Sequence, residues 1–374
     1  MIRRPVALSA GLAALLLASG CSTGAGSAQD AAAPLGAASA APGRAAATPS
    51  ASPSPARALP PGTITLAFAG DVHFTGRTAV RITPPDGQTA LGPASRVLGA
   101  ADFAMVNLES AITTRGSKQA KIYHFRTPPA ALDALKDSGV DAVSMANNHS
   151  VDYGPEGLRD TLDAAHDSPV PVVGIGEDDR EAYEPYVTEI RGVKLAVVAA
   201  SQVQDLTNAQ WRAGPDKPGI ASALNPAKLL KAVRKARAKA DVVVVYLHWG
   251  TEGRKCPGAD QTGLARELAR AGATAVVGTH AHVMLGTGML GKTYVAYGLG
   301  NFLWYGTSPY PNSDDSGIAT LTIRQGKVTG EEFTPALVDG RGLPQPQEGP
   351  AAARIEERMD ALRQCSGLRR APRA

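Results

Sequence analysis

The chain has 374 residues, 44% hydrophobic and 19% charged, enough to bury a sizeable core and too apolar for a wholly disordered or fibrous protein. Its formal charge of +4 falls to +2 once Arg3 and Arg4 are set aside, 36 basic residues against 34 acidic. With aromatics at only 5%, this balance argues against nucleic acid as a partner, which calls for a polyanion footprint or a base-stacking surface.

The first segment reads as a targeting signal. Arg3 and Arg4 precede an apolar run from Val6 to Ala18, too short to span a bilayer comfortably as a permanent helix. Leu17-Ala18-Ser19-Gly20-Cys21 resembles a bacterial lipobox. Residues 1–20 are therefore expected as a lipoprotein signal peptide and Cys21 as the lipidated residue, with an ordinary secretory leader as the alternative. Acyl chains on Cys21 would hold an exported protein on the outer face of the bacterial cell membrane. Residues 21–61 turn to Ala, Pro, Ser and Gly; such a stretch cannot offset its ordering entropy by burial and is expected as a disordered tether.

A folded domain is expected over 62–340, with 341–374 as a C-terminal extension carrying one helix at Ala351–Gln364. Within the domain, β-branched apolar runs predict strands at Thr63–Ala69, Phe103–Leu108, Ala142–Met145, Val170–Gly174, Lys194–Ala200, Val242–His248, Ala275–Gly278 and Thr293–Tyr297. Helices are predicted at Pro128–Ser138, Pro155–His166, Pro226–Ala240 and Ala259–Ala271, several with Pro in the first turn or Gly after the end. A hairpin, Ile318–Arg324 with Lys327–Leu337, closes the domain. The pattern is that of an α/β protein. Cys256 and Cys365 suit a disulfide in an oxidising compartment, and two free thiols are the alternative.

Polar residues of metal-ligand type follow nearly every strand: Asp71 and His73, Asn107 and Glu109, Asn147, Asn148, His149 and Asp152, His248 and Glu252, His280 and His282, then Asn301. Five of the seven histidines fall in these motifs. Each motif alone has a bland reading as turn chemistry or a satisfied core histidine. As an ordered set they predict a crevice, because the carboxyl ends of strands in α/β sheets converge. His280-Ala281-His282 on an extended segment would present both imidazoles to one side. Carboxylate, amide oxygen and imidazole together favour Mn, Fe, Zn or Mg over a thiolate site, and two such ions would be bridged by a carboxylate.

The series Gly70-Asp71, Asn107-Leu108-Glu109, Ala146-Asn147-Asn148-His149 with Asp152, His248-Trp249-Gly250 with Glu252, His280-Ala281-His282 and Gly300-Asn301-Phe302 resembles the CapA family of poly-γ-glutamate capsule biosynthesis proteins. That resemblance implies a four-layer α/β/β/α sandwich of the calcineurin-like metallophosphoesterase type. It places Asp71, His73 and His282 on one ion and Asn148, His248 and His280 on another. Glu109 would bridge them, where the superfamily usually has Asp. His149 would be the general acid or electrostatic stabiliser. Arg126, in Tyr123-His124-Phe125-Arg126, would clamp a carboxylate or phosphate. Asn107, Asn147, Asp152, Glu252 and Asn301 would support the ligands or face substrate. Two functional classes follow: a surface-anchored component of anionic polymer biosynthesis or export, beside a polymer synthase, or a metal-dependent phosphoesterase or amide hydrolase at the cell envelope. A binding lipoprotein without catalysis is the third.

Overall fold

The apolar runs pair into two sheets. A computed structural model describes residues 59–85, 87–305 and 309–373; the expected signal peptide, Cys21 and the tether up to residue 58 lie outside them. The first sheet has eight strands, in the order Pro344–Pro346, Lys327–Val338, Asp315–Arg324, Thr63–Val72, Phe103–Leu108, Ala142–Ser144 and Val172–Val173, with Asn301–Leu303 pairing the end of Thr63–Val72. The second has six: Thr287–Leu290, Thr293–Ala296, Ala275–Thr279, Val242–His248, Val193–Ser201 and Tyr186–Ile190. Neighbouring strands from Val193–Ser201 through Thr293–Ala296 run parallel, so the carboxyl ends of the central strands share one edge.

The sheets pack face to face, because their strands are apolar on both sides. Phe68, Met105 and Leu321 of the first sheet meet Leu195, Val244, Tyr246, Val277 and Tyr294 of the second in one buried core. Helices Ala130–Lys136 and Gly154–His166 cover the outer face of the first sheet, with Leu132, Leu135, Leu158 and Leu162 on Val106 and Val143. Helices Ala227–Arg237 and Ala259–Ala271 cover the second, with Leu229, Val233, Leu264 and Leu268 on Val198, Val243 and Val245. This is a four-layer α/β/β/α sandwich.

Two local expectations differ. The strand expected at Val170–Gly174 shrinks to Val172–Val173, after which Ile175–Gly176 leaves to pair with Gly219–Ile220. Pro169 and Pro171 supply no backbone N–H to extend the ladder. Tyr186–Ile190 is an edge strand with alternating partial exposure, so its sequence carries no continuous apolar run. Among the described residues, no helix is long and apolar enough to cross a membrane.

Residues 341–373 are built into the domain rather than appended to it, and the described residues form one compact unit. Pro344–Pro346 adds a strand to the first sheet. Helix Gly349–Ser366 buries Ile355, Met359 and Leu362 against Met284. Arg354 and Arg358 both reach the buried carboxylate of Asp315. Cys256 and Cys365 are bridged across a separation of 109 residues. Cross-linking so long a loop restricts the unfolded chain, so Cys365→Ser should lower stability by about 2–4 kcal/mol; urea unfolding of the oxidised protein and the variant measures it, and equal midpoints would contradict it.

Candidate metal centre

At the shared edge of the two sheets, side chains from separated segments meet. Asp71 lies within the first strand, whose end is set by close approach of two backbones: Asp71 N–H donates to the Gly300 carbonyl at 2.9 Å. A Cβ on Gly70 would sit 1.9 Å from the same oxygen, so only glycine fits there. Asn107 Nδ2 donates to Asp71 Oδ1 at 2.8 Å and lies 3.3 Å from His248 Nδ1. Asn147 in turn donates to Asn107 Oδ1 and the Leu108 carbonyl, and its Oδ1 accepts from His149 N–H and Ser150. A buried amide chain thus ties three strand ends into one network.

His248 ends its strand with its ring between Thr279 Oγ1, 3.0 Å from Nδ1, and Asn148 Oδ1, 2.8 Å from Nε2. His280 Nδ1 is 3.1 Å from the same Nε2. His282 Nδ1 lies 2.9 Å from Asn301 Oδ1, and Asn301 Nδ2 donates to the Ser313 carbonyl, which fixes the amide orientation and makes the imidazole the donor.

The two late histidines converge, though not on an extended segment. The strand stops at Thr279, and His280 and His282 take φ of 89° and 53°. Left-handed backbone at two side-chain-bearing residues is costly, of order 1–3 kcal/mol each, and persists where the surroundings impose it. Here His280 N–H donates to Asp71 Oδ2 at 3.0 Å.

Among the described residues, three groups of potential ligand atoms result, each with its atoms within 4.8 Å of one another: Glu109 with His248 and His280, Asp71 with Glu109 and His282, and Glu252 with His280 and His282. Glu109 belongs to two of them. It is fully buried, and among the described residues neither carboxylate oxygen has a hydrogen-bond partner; His248 Nε2 and His149 Nε2 stand 3.5 and 3.7 Å from Oε1. Burial, reinforced by Glu109, pushes the Asp71 carboxyl up to about 6, and burial raises Glu109 as well. Burial pushes His248 down to about 4 and, with His248 and His282 adding repulsion, His280 well below its ordinary value. At His282 burial opposes the charge, but Glu109, Asp71 and Glu252 outweigh it and raise its pKa. An orphaned buried carboxylate costs several kcal/mol unless a cation accompanies it. Carboxylates, an amide oxygen and imidazole lone pairs are the donors a divalent cation takes, so the residues fit a metal.

Not every expected ligand joins. His73 is buried, but Thr75 N–H and Tyr305 N–H point at its two ring nitrogens, at 3.0 and 3.3 Å, and it belongs to none of the three groups. The strand ends at Val72, so His73 turns away and stacks on Phe125, ring centroids 4.5 Å apart. Arg126 is exposed, its guanidinium 4.6 Å above the Tyr153 ring and near the Thr114 carbonyl; none of these contacts is with the ligand cluster.

His149 sits beside the cluster, its Nδ1 2.7 Å from Asp152 Oδ2. Asp152 also accepts from Phe125 N–H and Lys121 Nζ, both at 2.7 Å. With Asp152 as the acceptor, His149 carries its proton on Nδ1 and turns Nε2 toward Glu109. Phe125 stacks on His149 as well, centroids 4.1 Å apart. Nothing in the sequence marks Lys121 or Thr279; Lys121 lies in an irregular segment without periodicity, and its partner is 31 residues away.

A four-layer sandwich with carboxylate and imidazole donors at the carboxyl ends of both sheets is the arrangement that the family resemblance implies. The chain belongs to the bacterial capsule synthesis protein PGA_cap family, whose model matches residues 65–305. It is 29% identical over 276 residues to the PGA biosynthesis protein CapA of Bacillus subtilis, covering 73% of this chain and 71% of that one. It is 28% identical over 292 residues to the capsule biosynthesis protein CapA of Bacillus anthracis, covering 76% and 69%. Among solved structures, a novel phosphatase from Mycoplasma pneumoniae is similar with a TM-score of 0.47 and 15% identity, over 74% of this chain and 94% of that one.

Proposed function

We propose that this chain is an exported lipoprotein, anchored through Cys21 to the outer face of the bacterial membrane, that serves biosynthesis or export of an anionic surface polymer of poly-γ-glutamate type. Its centre holds two divalent ions drawn from Mn, Fe, Zn or Mg. The observation that carries the metal reading is Glu109, a buried carboxylate without a hydrogen-bond partner among the described residues and shared by two candidate ligand groups. The relatives named for PGA and capsule biosynthesis support the polymer, and the Cys256–Cys365 bridge supports export, since disulfides persist in oxidising compartments.

Asp71, Glu109, Asn148, His248, His280 and His282 would hold the ions. When bound, such cations polarise an anionic or carbonyl oxygen of the substrate. Asp152 holds the His149 proton at Nδ1, Lys121 and Phe125 N–H hold Asp152, and the Phe125 ring stacks on the imidazole. Neutral His149 then presents Nε2 as a lone pair that can take a proton from an attacking water; only the doubly protonated ring delivers a proton from Nε2 to a leaving oxygen or nitrogen, or stabilises developing negative charge there.

Deleting the gene should lower surface polyglutamate or a similar polymer, the intact gene should restore it, and unchanged polymer would refute the biosynthetic role. The Asp152–His149 pair favours a second reading, hydrolysis of phosphate esters or amide-type bonds. In that case His149→Gln should abolish turnover of an aryl phosphate, a loss of ~100-fold or more, while elemental analysis finds its metal content intact.

A further inference from the structure

We infer that Glu252 directly holds the cation beside His282, in the role that the family resemblance assigns to His73. This rests on the metal reading above. A carboxylate oxygen of Glu252 and one ring nitrogen each of His280 and His282 lie within 4.8 Å of one another, whereas both nitrogens of His73 face backbone N–H groups.

The segment after His248 is built to deliver that carboxylate. Gly253 N–H donates at 2.8 Å to the carbonyl of Ala281, the residue between the two histidines, so Glu252 is pinned alongside them. Gly253 has φ of +71°, and a Cβ there would lie 2.4 Å from the Tyr310 ring. The space left by the missing side chain admits Tyr310, whose hydroxyl donates to Glu252 Oε2 at 2.6 Å. One carboxylate oxygen is thereby oriented by a neutral donor and the other is left for a cation, the arrangement in which a ligating carboxylate is itself hydrogen-bonded. Cys256, three residues further on, is tied to helix Gly349–Ser366 by the disulfide. Glu252 is exposed, unlike Asp71 and Glu109, which makes it the acidic member of the set that an ion from solvent meets first.

The test is Mn(II) binding by full-length protein purified in detergent, followed by electron paramagnetic resonance of the free ion. Glu252→Gln should weaken at least one bound Mn(II) equivalent by tenfold or more, and Gly253→Ala, which keeps the Glu252 side chain but shifts the segment that positions it, should weaken the same equivalent. His73→Gln should bind as the wild type does. Glu252→Gln at wild-type affinity and stoichiometry overturns the inference and leaves the metal reading standing; because Glu252 is exposed, that variant folds and the outcome is decisive. A wild-type protein that takes up no Mn(II), Zn(II) or Fe(II) overturns the metal reading and this inference with it.

Discussion

Replacing His280 by alanine should strip the protein of metal. Its Nδ1 lies 3.1 Å from His248 Nε2, and it belongs to two of the three ligand groups, so one truncation removes a donor that both share. Groups that merely orient a ligand are worth about 10–100-fold in metal affinity, and loss of the donor itself should exceed that. The backbone contact from His280 N–H to Asp71 survives the substitution, so thermal unfolding in chelator should show a folded protein. Unchanged metal content in elemental analysis of this variant would remove the site from consideration.

Glu109→Met should reverse sign with the metal. In chelator, wild-type protein carries a buried carboxylate with neither oxygen bonded; an apolar side chain of similar volume removes that penalty and should raise stability by about 1–3 kcal/mol. With metal present the order inverts. At a free ion concentration of a hundred times Kd, each bound ion contributes about 2.7 kcal/mol to the wild type, so two ions outweigh the variant's gain, and the variant keeps little of that binding energy. Urea unfolding with and without chelator reads both arms. A variant less stable than wild type in chelator would mean that Glu109 is satisfied by the protein alone.

The parts of this molecule legible in its sequence are those set by local pattern. Continuous β-branched runs such as Val242–His248 become strands with their predicted bounds, and helix Ala259–Ala271 matches residue for residue. Edge strand Tyr186–Ile190 escaped because half-exposed positions admit polar residues. The ligand types were legible because each follows a strand, and the ends of neighbouring parallel strands must meet. His73 illustrates the limit: Asp71-Val72-His73 reads as a pair of ligands, yet the chain leaves the strand after Val72 and the ring turns to Phe125. Nothing local distinguishes an imidazole that faces ions from one that stacks on an aromatic ring 52 residues away.

By itself, the sequence determined the α/β class and most of the sheet-forming segments in chain order, and it offered a set of candidate donors, because periodicity and turn chemistry act over a few residues. The tertiary structure alone decided that Glu109 is orphaned and shared, that His280 and His282 converge through left-handed backbone, and that Glu252 stands beside them. Those outcomes depend on distances between segments as much as 211 residues apart, from Asp71 to His282, and such distances are set by how two sheets pack their apolar faces, a property of the whole core rather than of any stretch of chain.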